Sequence, residues 1–227
     1  MAPSLEPQLG VIFDLDGVMV DSEPLHVEAW QALFAREGLE VTHEEYHHGI
    51  GMLDADWIDY LFGRRGRSTD ATWWQNEKRQ IYRGVLAAAV RPFPGVVALV
   101  RRLHEAGVAL GVASNSWREN IETVLHATAL THCFGVLTGK EDVTRPKPHP
   151  EPYLTTAAKL GVPPRHCTVI EDSDLGIQAA KAAGMRCIAV PNSLPPERLA
   201  QADWIVDSLD RTEAVCKRVM GAGGREG

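Results

Sequence analysis

In the second half of the chain, short apolar runs rich in β-branched residues alternate with longer stretches of helical spacing. "VALGVASNS" (Val108–Ser116) and "CTVIEDSD" (Cys167–Asp174) read as strands that end in small polar or acidic residues. "NIETVLHATAL" (Asn120–Leu130) and "LGIQAAKAAG" (Leu175–Gly184) carry apolar positions three and four apart, as a helix with one buried face requires. "RCIAVPN" and "DWIVDSL" add two further strands, and "LGVIFDLD" (Leu9–Asp16) places another near the start. This alternation predicts an α/β fold, a doubly wound parallel sheet covered by helices on both faces. In such sheets the ligand crevice lies at the carboxyl ends of the strands, where the sequence puts Asp14, Asp16, Ser114, Asn115, Glu171, Asp172 and Asp174.

Between Ser22 and Val90 the pattern changes. Val27, Trp30, Leu33 and Phe34 share a helical face, as do Trp57, Ile58, Leu61 and Phe62, and then Ile81, Tyr82, Val85 and Leu86. No strand alternation interrupts them, and four of the six tryptophans fall here, enough for a small core. The chain therefore divides into an α/β core, residues 1–21 and 92–227, and an inserted helical domain, residues 22–91.

At 227 residues, 44% hydrophobic and 23% charged, the chain has the balance of a globular protein rather than a disordered one. A net charge of −7 leaves no broad basic surface, which argues against nucleic acid or an anionic membrane as partner. Met1–Gly10 lacks a basic and apolar leader, and no apolar run approaches the ~20 residues of a membrane span. Cys133, Cys167, Cys187 and Cys216 are widely spaced and suit reduced thiols, so a cytoplasmic location is expected. A monomer or weak homodimer is the expected state.

The candidate chemistry lies at the strand ends. Asp14 and Asp16 follow "GVIF", and if the strand ran on through them both carboxylates would point to one side. At ~4 Å and an effective dielectric near 20 their repulsion is about 4 kcal/mol, relieved by a divalent cation or by protonation of one acid. Glu171 and Asp172 bring two more acids to a second strand end. An oxygen-only donor set of this kind suits Mg²⁺ better than zinc. Single acids at such places often do no more than cap the following helix, but pairs at two strand ends exceed that need. In "RPKPHPEPY" (Arg145–Tyr153), prolines near Lys147 disfavour a helix and present one lysine stiffly, as a solvated loop residue or as a counter-charge to an anion.

These residues together resemble the haloacid dehalogenase superfamily, in the branch with a helical cap inserted after the first motif. The first motif, D-x-D-G-x-x-x-D-[ST], stands as Asp14-Leu15-Asp16-Gly17-Val18-Met19-Val20-Asp21-Ser22. Ser114 in "VASNS", Lys147 in "RPKP" and the pair Glu171-Asp172 match the second, third and fourth motifs in order. The resemblance implies that Asp14 is the nucleophile taking the phosphoryl group and that Asp16 is the general acid and base. It implies Mg²⁺ held by Asp14, Asp16 through its backbone carbonyl, Asp172 and Glu171. Ser114, Lys147 and the Asn115 backbone would bind the phosphoryl oxygens.

Within that family the chain is expected to be a phosphatase of a small phosphorylated metabolite, with a sugar phosphate favoured. The rival is a sugar phosphomutase of the β-phosphoglucomutase type, whose cap "DSEPLHVEAW" resembles and in which His26 would help gate the second aspartate. The mutase motif has lysine before glycine and an arginine three residues later; here "HHGIGM" has His48 before Gly49, and Met52 in place of the arginine. A thioether cannot replace a phosphate-binding guanidinium, which favours hydrolysis. His48, Gly49 and Met52 are taken as part of a specificity loop facing the catalytic acids. Arg64, Arg65 and Arg67 read as a solvated basic turn, and Lys78, beside Glu77 and Arg79, as part of a solvated helix face rather than a Schiff-base lysine. A non-catalytic phospho-receiver remains as a third reading, one that would need no helical insert.

Overall fold

The computed structural model of the protein describes residues 8–49 and 54–221, apart from the side chain of His47. After β1 (Gly10–Phe13) come four helices, α1 (Glu23–Arg36), α2 (His43–Gly49), α3 (Asp54–Gly63) and α4 (Ala71–Ala89). Helices and strands then alternate: α5 (Val96–Glu105), β2 (Ala109–Ala113), α6 (Arg118–Ala127), β3 (Val136–Thr138), α7 (Glu151–Leu160), β4 (Cys167–Glu171), α8 (Asp174–Ala182), β5 (Arg186–Ala189), β6 (Trp204–Ile205) and α9 (Thr212–Met220). By its contacts the chain forms two compact units, one of Ser22–Ala89 and the other of the residues on either side. No described helix is long and apolar enough to cross a membrane. The four cysteines are buried thiols.

The strands form one parallel sheet in the order β3-β2-β1-β4-β5-β6. The chain builds outward from β1 through β2 to β3, then returns to add β4 on the other side of β1. The ends of β1 and β4 therefore flank the point where the winding reverses. Ile12, Val169, Cys187 and Ala189 bury one face against Tyr153 and Ala157 of α7 and Ile177 and Ala180 of α8. Val11, Phe13, Val112, Ile170 and Ile188 are equally buried, and α5 packs on β2 and on α9. Cover on both faces explains why "GVIF" and "CTVI" are continuous apolar runs rather than alternating ones. β3 escapes pattern reading because three edge residues carry no period. α7 opens at Glu151 with Pro152 in its first turn, where a missing N–H costs nothing, while Arg145–Pro150 stay outside the helix.

β1 does not run on through Asp16. Asp14 N–H still bonds to the Ile170 carbonyl at 3.0 Å, but the chain then folds into a turn closed by Met19 N–H on Leu15 O (2.8 Å) and Gly17 N–H on Val20 O (2.9 Å). Gly17 has φ +78°, and a Cβ there would lie 1.8 Å from Asp172 Oδ2, so the turn requires glycine for its backbone and for its space.

In the helical unit, Trp30, Leu33 and Phe34 of α1 meet Trp57, Ile58, Leu61 and Phe62 of α3 and Trp74 of α4. The indole N–H groups find acceptors, Trp57 on Glu45 O (3.0 Å) and Trp74 on Thr69 Oγ1 (2.9 Å), so these rings are buried without orphaned donors. Arg64 and Arg67 of the basic turn are exposed, as the sequence suggests, but Arg65 is not simply solvated. Arg65 grips both oxygens of Glu45 (2.8 and 3.0 Å) and donates to Leu61 O and Glu40 O, pinning the end of α3 to α2. Arg67 lies over the Phe62 ring, and Arg64 bonds to Tyr60. A guanidinium fork can satisfy several acceptors at once, which the count of charges in the sequence does not reveal.

Arg65, with help from Thr42, holds the Glu45 carboxyl down to about 2. Arg65→Met strands that carboxylate and should cost about 2–3 kcal/mol near neutral pH. Because the folded value is depressed, the stabilisation is full above the unfolded value of 4.5 and fades toward pH 2. Denaturant melts should therefore show the gap between wild type and variant closing as pH falls through that window.

Candidate active site

At the carboxyl ends of β1 and β4 four carboxyl groups gather, and two of them, Asp14 and Glu171, share one ammonium. Lys147 Nζ donates to Asp14 Oδ1 at 2.5 Å and to Glu171 Oε1 at 2.8 Å, and it is 7% exposed. Its backbone is fixed by Asn115, whose side chain accepts from Lys147 N–H (3.1 Å) and donates to Lys147 O (3.5 Å). The stiffness that the prolines suggested is thus reinforced by an amide clamp from the end of β2. The Lys147–Pro148 peptide is cis.

Glu171 is fully buried and every part of its carboxylate is engaged. Oε1 accepts from Lys147 and from the Tyr153 hydroxyl (2.7 Å), and Oε2 accepts from Asp172 N–H, Ser173 N–H and Ser173 Oγ, each at 2.9 Å. Ser173 in turn caps α8 by accepting from Gly176 N–H. A Cβ at Gly176 would stand 1.6 Å from Glu171 Oε1, so the carboxylate occupies the space a side chain would need. Burial works against the charge of Glu171, but Lys147 and the hydrogen bonds from Tyr153 and Ser173 outweigh it and hold this carboxyl below its usual range. Tyr153 was not singled out from the sequence. Its hydroxyl is fully buried, and the Lys147 ammonium lies 4.7 Å from its ring centroid.

The other acids are less compensated. Burial pushes Asp14 up, Lys147 opposes that, and Glu171, Asp172 and Asp16 reinforce it. Burial, then the Glu171 charge, pushes Asp172 up to about 7. Asp16 receives the Ser116 hydroxyl on Oδ2 at 2.6 Å and a longer contact from Ser114 Oγ (3.4 Å), while its Oδ1 is buried without a partner. Ser114 Oγ also accepts from Ser116 N–H (2.9 Å). Ser116 is a second residue missed in the sequence, where nothing but its place in "SNS" distinguishes it.

Asp14, Glu171 and Asp172 bring oxygens within 4.8 Å of one another, a buried acidic cluster able to hold a metal ion. The fit is chemical as well as spatial. The donors are all oxygens, one ammonium leaves a surplus of negative charge, and one carboxylate oxygen of Asp16, two residues after Asp14, is buried without a partner.

The remaining sequence candidates lie in the helical unit. His26 of α1 stacks on Tyr82 with centroids 4.0 Å apart and accepts at Nδ1 from Lys78 Nζ (2.9 Å). Lys78 corrects the sequence reading, for it is 7% exposed, not solvated. It also pairs with Asp54 (3.2 Å) and lies over the Trp30 and Tyr82 rings. Its Glu77 and Arg79 neighbours hid a helix position that turns inward. His48 stacks on Tyr60, also at 4.0 Å, and a Cβ on Gly49 would meet the Trp57 indole at 2.5 Å, so packing explains that glycine. Met52 lies outside the described residues.

Comparison with known proteins fits this geometry. The family model for haloacid dehalogenase-like hydrolases matches residues 11–190. Hexitol phosphatase B of Escherichia coli (strain K12) is 34% identical over 223 residues, 94% of this chain and 97% of that protein. Fructose-1-phosphate phosphatase YqaB of the same strain is 32% identical over 186 residues, 82% of this chain and 97% of its own length. A crystal structure of a putative β-phosphoglucomutase from Thermotoga maritima superposes with TM-score 0.81 at 26% identity, covering 94% of this chain and all of that one. The chain belongs to the haloacid dehalogenase-like hydrolases. Within them it stands in the phosphatase branch, as an enzyme that hydrolyses phosphate monoesters.

Tyr153→Phe removes one hydroxyl from a buried carboxylate and should cost about 1–2 kcal/mol in denaturant melts, with the far-UV spectrum unchanged. Gly176→Ala should cost more, since its methyl would displace Glu171 itself.

Proposed function

We propose that the protein is a Mg²⁺-dependent phosphomonoester hydrolase of a small sugar or sugar-alcohol phosphate, acting through an aspartyl-phosphate on Asp14. The observation that carries this reading is the placement of Asp14 directly after β1, where the winding of the sheet reverses, with one oxygen held by Lys147. With Oδ1 so held, Oδ2 is the attacking atom. It forms the bond to phosphorus as the ester P–O bond breaks, and Asp16 gives its proton to the departing oxygen. Asp16 then takes a proton from water, the water oxygen attacks phosphorus, and inorganic phosphate leaves with the Asp14 carboxylate restored. Ser116 orients Asp16 for both transfers. Ser114 and Lys147 hold the phosphoryl oxygens, where charge is spread in the transition state.

Asp14, Asp172 and the backbone carbonyl of Asp16 would hold Mg²⁺, with Glu171 behind them as the acid that fixes Lys147. The ion would supply positive charge to the phosphoryl oxygens and relieve the repulsion among the acids. Hydrolysis is favoured over mutase activity by the names of the curated relatives, both phosphatases, and by Met52 where the mutase motif has arginine.

The test is phosphate release from a panel of sugar, sugar-alcohol and nucleotide monophosphates, with Mg²⁺ and with chelator, with β-glucose 1-phosphate followed in parallel for glucose 6-phosphate. Mg²⁺-dependent release on sugar or sugar-alcohol phosphates is expected; glucose 6-phosphate without free phosphate would establish the mutase instead. Asp14→Asn should lower kcat by about 10³-fold or more while preserving the melting curve. Mg²⁺ must displace a proton from Asp172 below about pH 7, so the rise in Tm that the ion produces should be larger at pH 8 than at pH 5.5.

A further inference from the structure

The segment that follows β5 touches the turn after β1 and the end of β4 at once. Asn192 Nδ2 donates to Gly17 O at 2.7 Å. Ser193 comes next in sequence; against burial, which pushes the Asp172 carboxyl up, its hydroxyl supplies a hydrogen bond to that carboxylate. Gly17 is where the three segments meet, for a Cβ on it would stand 1.8 Å from Asp172 Oδ2 and 2.6 Å from Ser193 Oγ.

The segment is itself held on both sides. Val190 N–H donates to Glu171 O at 2.8 Å, Pro191 restricts the backbone that follows, and Leu194 packs against the buried cluster that contains Ile177. The Asp16 carbonyl belongs to the peptide whose N–H, that of Gly17, bonds to Val20 O at 2.9 Å. That peptide is thus pinned through its N–H, and the next one is pinned through its carbonyl by Asn192. Asn192 and Ser193 are two adjacent jaws. One fixes the turn that bears the Asp16 carbonyl, the other fixes the Asp172 carboxylate, and the single peptide between them ties the two placements together.

We infer that Asn192 and Ser193 are positioning residues of the metal site, holding the Asp16 carbonyl and the Asp172 carboxylate at a spacing that favours Mg²⁺ relative to Ca²⁺. The inference rests on the ligand set of the hydrolase reading above and adds what orients it. Mg²⁺ demands near-ideal octahedral geometry with oxygens at about 2.0–2.1 Å, whereas Ca²⁺ accepts flexible arrangements at about 2.3–2.6 Å. Loosening one jaw lets two ligands drift apart, a change that a large, adaptable coordination shell absorbs and a small octahedral one does not. Groups that orient metal ligands from behind are worth about 10–100-fold in affinity.

The test is a thermal-shift titration of the full, chelator-treated chain at pH 8 with MgCl2 and, separately, with CaCl2, from which both dissociation constants follow. Ser193→Ala and Asn192→Ala should each weaken Mg²⁺ binding about tenfold and Ca²⁺ binding by about twofold or less. Ser193→Thr keeps the hydroxyl and should keep the wild-type ratio of the two constants. Both residues are exposed, so the melting temperature without metal should stay close to that of the wild type. An unchanged ratio in Ser193→Ala and Asn192→Ala, an equal weakening for both ions, or the same loss in Ser193→Thr as in Ser193→Ala would each overturn the inference alone. A wild type whose melting temperature does not rise with Mg²⁺ would overturn the Mg²⁺-dependent reading and this inference with it.

Discussion

A lysine ammonium sealed among carboxylates has to be surrounded on every side by groups that tolerate it, and much of this α/β unit is arranged to that end. Lys147 meets Asp14 from β1 and Glu171 from β4, and its backbone is clamped by Asn115 from the end of β2. Tyr153, in the first turn of α7, supplies a ring beside the ammonium and a hydroxyl to Glu171. Such a charge is stable in a dry crevice only when all these partners arrive together. Three neighbouring strands must therefore end at one level, which the register of β1 against β2 and β4 provides.

The surplus of acid over base follows from the same arrangement. One ammonium satisfies Glu171 and half of Asp14, and it leaves Asp172 without an ion-pair partner and an oxygen of Asp16 without a hydrogen bond. The cluster is stable as a resting structure and receptive to additional positive charge, a division between a braced half and an open half. The braced half contains Glu171, Tyr153 and Ser173; the open half contains the residues to which chemistry is assigned.

Much of this could be read in the chain beforehand, for identifiable reasons. Buried strands announce themselves as apolar runs, and acids at their ends are conspicuous because acids are rarely placed there by packing alone. Asp14 and Glu171 carried such signals, and Lys147 was marked by the prolines on either side of it. Tyr153 and Ser116 did not, since a tyrosine at the start of a helix and a serine among serines look like ordinary residues until a fold brings Glu171 and Asp16 to them. Lys78 and Arg65 misled in the opposite direction. A charged side chain flanked by charges looks solvated, and only the helical phase together with a partner such as Asp54 or Glu45 shows that it turns inward. β3 was too short to have a period at all.

Glycine 176 extends this point to mutational tolerance. The other inward positions of helix α8, Ile177, Ala179 and Ala180, face apolar neighbours, but at Gly176 the space a side chain would take is already filled by the oxygen of another residue. Glu171 is thus aimed partly by an omission. In a library of variants the position should behave as a lock with a single key, silent in any list of side-chain contacts yet as intolerant as the lysine it indirectly steers.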